Sequence, residues 1–234
     1  MSEMARGLAE AVGLLGGRDP EVIGVVLRTL AISGVATLLA MAVGVPLGYL
    51  LARRRFPGRT LALGLVHTGM GMPPVVVGLF VWLLLVRGGP LGGFEMVYTT
   101  QAMALAQFFI ATPMIVGFTS AAIQALPPRL PDLLVVLGAS PLRRLRILAS
   151  EARLGLLTAV MAGFGAVISE VGASMMVGGN LRGRTRILTT SIVTETSRGE
   201  TERALALGLV LLALAFGVNV LLTRTQQARV SSWH

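Results

Sequence analysis

Five apolar runs constrain this chain more than any other feature: residues 22–52, 61–86, 99–125, 155–178 and 204–222. A helix needs about 20 apolar residues to cross a hydrocarbon layer roughly 30 Å thick. Lipid offers no partner for backbone N–H and C=O groups, and these runs are too long and too unalternating for barrel strands. The expected fold class is therefore an all-α integral membrane protein with five transmembrane helices. Composition agrees, because 54% hydrophobic and 13% charged residues with a mean hydropathy of +0.78 exceed what a soluble core of 234 residues can hide. The absence of cysteine removes disulfides, thiolate metal sites and a Cys nucleophile.

Orientation follows from the short loops. The first, RRRFPGR, holds Arg53, Arg54, Arg55 and Arg59, whereas RGGPLGGFE after the second span holds only Arg87. The positive-inside rule puts the first loop in the cytoplasm and the N-terminus outside. Loop 126–154 and the tail 223–234 then lie inside and 179–203 outside, with 11 arginines inside against 8 outside. Topology thus accounts for the net charge of +9; no basic run interleaved with aromatics points to nucleic acid. Residues 1–21 lack a long apolar core and a sustained basic start, so they read as an amphipathic surface segment rather than a cleavable signal peptide. Residues 22–222 form the transmembrane domain.

The longest inside loop contains LGASPLRRLRILASEARLG, residues 137–155. Two short helices are expected, Asp132 to Leu137 and Pro141 to Ala149, joined at Gly138 through Ala139 and Ser140. Glycine permits the bend, and Pro141 in the first turn presets the second helix. A stripe of Leu133, Leu134 and Leu137 opposes the later arginines. By composition the loop reads either as a passive cover on anionic headgroups or as a docking element for a soluble partner.

Gly138, with an acid six positions before it and a basic helix after it, resembles the EAA loop of ABC importer permeases. Asp132 stands where that family usually has Glu, Leu133 and Leu134 where it has two alanines, and its closing Leu-Pro is absent at Ser150 and Glu151. Residues 51–79, LARRRFPGRTLALGLVHTGMGMPPVVVGL, resemble molybdate-type permeases. Residues 168–200, ISEVGASMMVGGNLRGRTRILTTSIVTETSRGE, are similar to permeases of tungstate-specific uptake. The resemblance implies a type I importer permease fold whose cytoplasmic coupling helices seat in an ATPase. It further implies a homodimer in the plasma membrane of a prokaryote, two ATP-binding cassette subunits and an extracytoplasmic oxyanion-binding protein. ATP and Mg would be bound by the partner ATPase, no cofactor by this chain. The substrate implied is tungstate, with molybdate and sulfate as alternatives.

Three constellations remain. Glu170 lies within a span, where an acid costs about 2.5–3.5 kcal/mol, and so requires a donor, for which Arg28 and His67 are candidates. With Ser169, Met175, Met176 and Asn180 it marks a candidate pathway or gate; the bland reading is a hydrogen bond across helices. Arg182, Arg184 and Arg186 alternate, so in an extended segment they share one face and suit a tetrahedral oxyanion. Their bland reading is a solvated loop paired with Glu195, Glu200 and Glu202. The double proline of GMGMPPVVVG, residues 69–78, is expected to kink the second span. No Ser-His-Asp set, carboxylate pair or P-loop is present, so an intrinsic enzymatic activity is not expected. From a different class, a proton-coupled secondary transporter would use Glu170 and His67 as a relay.

Overall fold

The computed structural model describes Gly13 and residues 20–127 and 129–227. Most of the expected N-terminal surface segment and the last seven residues of the tail lie outside this set. Regular structure among the described residues is helical. The elements are α1 (Pro20–Arg53), α2 (Arg59–Met70), α3 (Pro74–Leu85), α4 (Thr100–Gln124), α5 (Leu130–Val136), α6 (Pro141–Glu151), α7 (Arg153–Ile168), α8 (Gly172–Gly178), α9 (Leu188–Ser197) and α10 (Thr201–Gln227).

Helices α1, α4 and α10 are each long and apolar enough to cross a membrane, and two bent pairs raise the number of candidate spans to as many as five. Run 61–86 is one of these pairs, α2 and α3, bent by 105°. Pro73 and Pro74 carry no amide hydrogen, so the α-helical ladder cannot pass through them, and Pro74 opens α3 in its first turn. Run 155–178 is also not one helix. It divides into α7 and α8 at Ser169–Val171, where the Ser169 hydroxyl turns back to the Gly165 carbonyl (2.9 Å). The second bent pair is α6 with α7, at 72° around Ala152.

Helix α4 is the axis of the bundle. A Cβ on Gly44 would lie 2.9 Å from Ile115 Cγ2, and one on Gly48 would lie 2.7 Å from the Thr119 side chain and the Val116 carbonyl. The register advances in the same direction on both helices, so α1 and α4 are parallel. Gly163 meets Ile115 and Gly155 meets Ala122, so α7 runs antiparallel to α4. Between membrane helices the lipid removes the hydrophobic driving force, and close backbone approach through small residues takes its place. Gly48→Leu therefore overpacks this seam at a cost of about 1–3 kcal/mol or more. The expected result is loss of monodisperse protein on detergent extraction; normal yield and thermal stability would show that the seam yields.

The main core joins α1, α3, α4, α7 and α8 through Ala40, Val81, Met103, Ile115, Val167 and Val177. A second cluster, Val22, Val25, Leu188, Leu207 and Val210, fastens α1 to α9 and α10. These contacts sort the connections into two ends. One end gathers residues 53–59, 124–127 and 129–153; the other gathers the start of α1, residues 86–99 and residues 178–188.

Candidate functional site

At the first end, α5 and α6 form an elbow. Pro131 lies in the first turn of α5, and Asp132 follows it, exposed. The chain then reverses at Gly138, whose φ is +69°. The Gly138 amide donates to the Val135 carbonyl (2.9 Å) and the Ala139 amide to the Leu134 carbonyl (3.0 Å), which satisfies two C-terminal carbonyls of α5. Ser140 is extended, its hydroxyl accepts from the Arg143 amide at 3.4 Å, and Pro141 opens α6.

The expected leucine stripe divides. Leu133 and Leu137, four residues apart, share an exposed face, whereas Leu134 turns inward and is buried. Val136 is 84% exposed and Leu142 61%, and Leu145 joins them, although none of the three was singled out from the sequence. The i, i+3 spacing of Leu142 and Leu145 on α6, beside Arg143, Arg144 and Arg146, was the available signal for those two. The elbow thus carries apolar side chains that no described residue covers.

In the interior, Glu170 is 5% exposed at the break between α7 and α8. Its donor is neither Arg28 nor His67. Oε1 accepts from the Ala173 amide at 2.6 Å, so the side chain caps the first turn of α8, and the Glu170 carbonyl accepts from the Thr189 hydroxyl of α9 at 2.8 Å. Helix termini leave amides unpaired, and an internal break creates such a terminus inside the bundle. This is why an acid is tolerated there. His67 is exposed on α2, and Arg28 donates instead to the carbonyls of Arg186 (3.1 Å) and Gly183 (3.3 Å).

The break beside Glu170 faces the other one: Gly172 abuts Val75, and a Cβ on Gly78 would lie 2.6 Å from Ala173 Cα. Met175 and Met176 are half-buried on α8, and Ser169 is exposed. Gln107 of α4 and Ser174 of α8, both fully buried, hydrogen-bond at 3.4 Å, and Gln107 Oε1 has no protein partner. Nothing in the local pattern marked Gln107, because its partner lies 67 residues away. Asn180 adopts φ +50°; its amide nitrogen donates to Thr194 at 2.7 Å, while Oδ1 is buried without a partner.

At the second end the arginine segment is not extended. The Leu181 carbonyl accepts from the amides of Arg184, Thr185 and Arg186, and the Thr185 hydroxyl donates to the Gly178 carbonyl at 2.6 Å. This turn separates the three side chains. Arg182 makes a two-pronged pair with Glu21 of α1, at 2.8 and 2.5 Å. Arg184 is exposed, and Arg186 is half-buried with Nε lacking a partner. Glu195 pairs with Arg198 at 3.5 Å.

A multi-helix membrane bundle with two broken spans, an uncovered elbow at one end and a tethered arginine turn at the other has the features of a permease subunit. The chain belongs to the family of binding-protein-dependent transport system inner membrane components, which it matches over residues 44–230. It is 41% identical over 198 residues to a probable anion ABC transporter permease of Haloferax volcanii, covering 82% of this chain and 85% of the other. It is 36% identical to the tungstate uptake system permease of Peptoclostridium acidaminophilum, over 97% of this chain and 100% of that one. Among solved structures, the MetNI methionine ABC transporter in an inward-facing conformation matches with a TM-score of 0.72 at 22% identity, over 91% and 98% of the two chains. At that identity the likeness concerns the fold alone.

Proposed function

We propose that this chain is the permease of an ATP-driven importer for a tetrahedral oxyanion, with tungstate as substrate. The observation that carries the reading is the end-to-end relation to a tungstate uptake permease. The uncovered elbow supports it, since a transporter driven by an ion gradient has no ATPase to dock. Asp132, Leu133, Leu137 and the reversal Gly138–Pro141 form the coupling element, and Leu134 anchors it to the bundle. The arginine excess in the first loop sets this end in the cytoplasm and the start of α1 outside. The chain acts as one half of a homodimer, with two ATPase subunits inside and a binding protein outside. It contributes no catalytic residue of its own.

Substrate passes along the facing breaks, past Ser169, Met175 and Met176, and between them and the outer end lies Asn180, beyond the last turn of α8. At the outer end Arg184 and Arg186 supply the attractive field, and Arg182 holds the turn to α1. The test is initial uptake of labelled tungstate by proteoliposomes containing the permease, its ATPase and saturating binding protein. Uptake should require ATP and be competed by molybdate more than by sulfate; uptake that follows a proton gradient without ATP overturns the reading. Replacing Arg182, Arg184 and Arg186 together by Gln should lower the initial rate up to about tenfold at low salt. The loss should shrink as the Debye length falls from about 10 Å at 0.1 M to about 3 Å at 1 M salt. A loss indifferent to salt would assign these residues to docking instead.

A further inference from the structure

We propose that α1, α2 and α4 form a binding site for one anionic phospholipid of the leaflet at the elbow end, with an acyl chain in an intramolecular groove and the phosphate on the arginines at its mouth. The groove measures about 760 Å³. Leu47 and Leu50 of α1, Leu65 and Val66 of α2, and Val116 of α4 line it. Its hydroxyl, on Thr112, already donates to the Phe108 carbonyl at 2.6 Å and so makes no demand on an occupant. Gly69 keeps the floor tight, because a Cβ there would lie 2.9 Å from Pro113. A cavity so lined at hydrocarbon depth is filled by apolar matter, and an acyl chain is the solvent at hand.

The mouth selects the headgroup. Arg54 lines the groove, and Arg53 and Arg55 are its neighbours in the chain. None of the three side chains has a hydrogen bond or ion pair among the described residues. Arg59, by contrast, is committed: its Nε donates to the Leu51 carbonyl at 2.7 Å and caps the end of α1. The sequence places no acid between residues 22 and 94 and none in α4. Asp132 and Glu151, the acids of this end, make no ion pair with the arginines. The mouth is thus a concentration of free guanidinium beside an apolar slot, the pattern that recognises a phosphate carrying net negative charge.

A second copy of this chain suits the groove less well. In a two-fold interface the same patch meets itself, which would set Arg53, Arg54 and Arg55 against their own copies with no acid to separate them. The proposal is independent of which oxyanion is transported.

The probe is phosphatidylglycerol against phosphatidylethanolamine, offered to the purified permease with its ATPase and read by native mass spectrometry. Wild type should retain phosphatidylglycerol about tenfold or more over phosphatidylethanolamine, the scale set by two or three interfacial arginines. Arg54→Gln with Arg55→Gln should bring the two lipids to equal retention, and Ala62→Trp, which fills the slot, should remove both. The glutamine pair replaces exposed side chains and decides the question even where the tryptophan variant fails to assemble. Equal retention of both lipids by wild type, or an unchanged preference in the glutamine pair, overturns the proposal. A disulfide between copies formed from Leu65→Cys does the same, since it would show the second copy covering the groove.

Discussion

Gly138→Val is expected to leave the chain in the membrane and to weaken its hold on the ATPase about tenfold to a hundredfold. The argument rests on backbone rather than bulk. A Cβ at this position meets nothing within 4 Å, so the chain itself leaves it room. What it lacks is a comfortable backbone, because φ is +69° and a residue other than glycine held there costs about 1–3 kcal/mol, most for a β-branched one. Each 1.4 kcal/mol is about a factor of ten in an equilibrium. Relief of that strain changes the angle between α5 and α6 and disperses the face made by Leu133, Val136, Leu137 and Leu142. Asn, which tolerates the left-handed region, should be milder than Ala, and Ala milder than Val. Titrating ATPase onto the solubilised permease variants reads the series. An effect ordered by side-chain volume instead of left-handed tolerance would reassign Gly138 to a packing contact.

The long helices α1, α4 and α10 were legible because their signal is additive: about twenty apolar residues outweigh any local detail. The elbow was legible for a different reason, since Gly138, Ser140 and Pro141 each act through their own backbone or the next turn. Where the reading failed, the deciding contact was distant. The break in run 155–178 has no proline, and Glu170 is not a favoured capping residue, so averaging over the window hides a terminus that only the Ala173 amide reveals. Alternation of the three arginines suits an extended segment, whereas Gly183 (φ +76°) and the Thr185 hydroxyl close a turn that no local pattern announces. Arg28 needed residues 155 and 158 positions away to explain its place in a span, and Gln107 needed Ser174. The cleft between α1, α2 and α4 was invisible for the same reason.

Glu170→Ala is expected to cost about 1.5–3 kcal/mol of stability, the range for a hydrogen bond to a charged group, and to reduce transport with it. Alanine leaves the Ala173 amide unpaired at a helix start sealed from water, where it has no substitute partner. The damage should spread along two routes. Helix α8 packs Ala173 against Gly78 of α3, and the Glu170 carbonyl holds Thr189 at the start of α9, so loosening one break loosens its neighbours. Glu170→Gln keeps an acceptor oxygen at the same reach and should retain most of the stability and most of the ATP-dependent uptake. Thr189→Val, which deletes only the second tie, should fall between the two. A proton-relay role for Glu170 predicts a different order. Glutamine cannot carry a proton, so Glu170→Gln would then stop transport as completely as alanine while the protein stayed as stable as wild type. Thermal inactivation and tungstate uptake measured on the same three variants therefore separate a cap from a carrier. Stability and uptake that fall together in Ala and are rescued together in Gln identify the cap, and uptake lost in Gln without loss of stability rejects it.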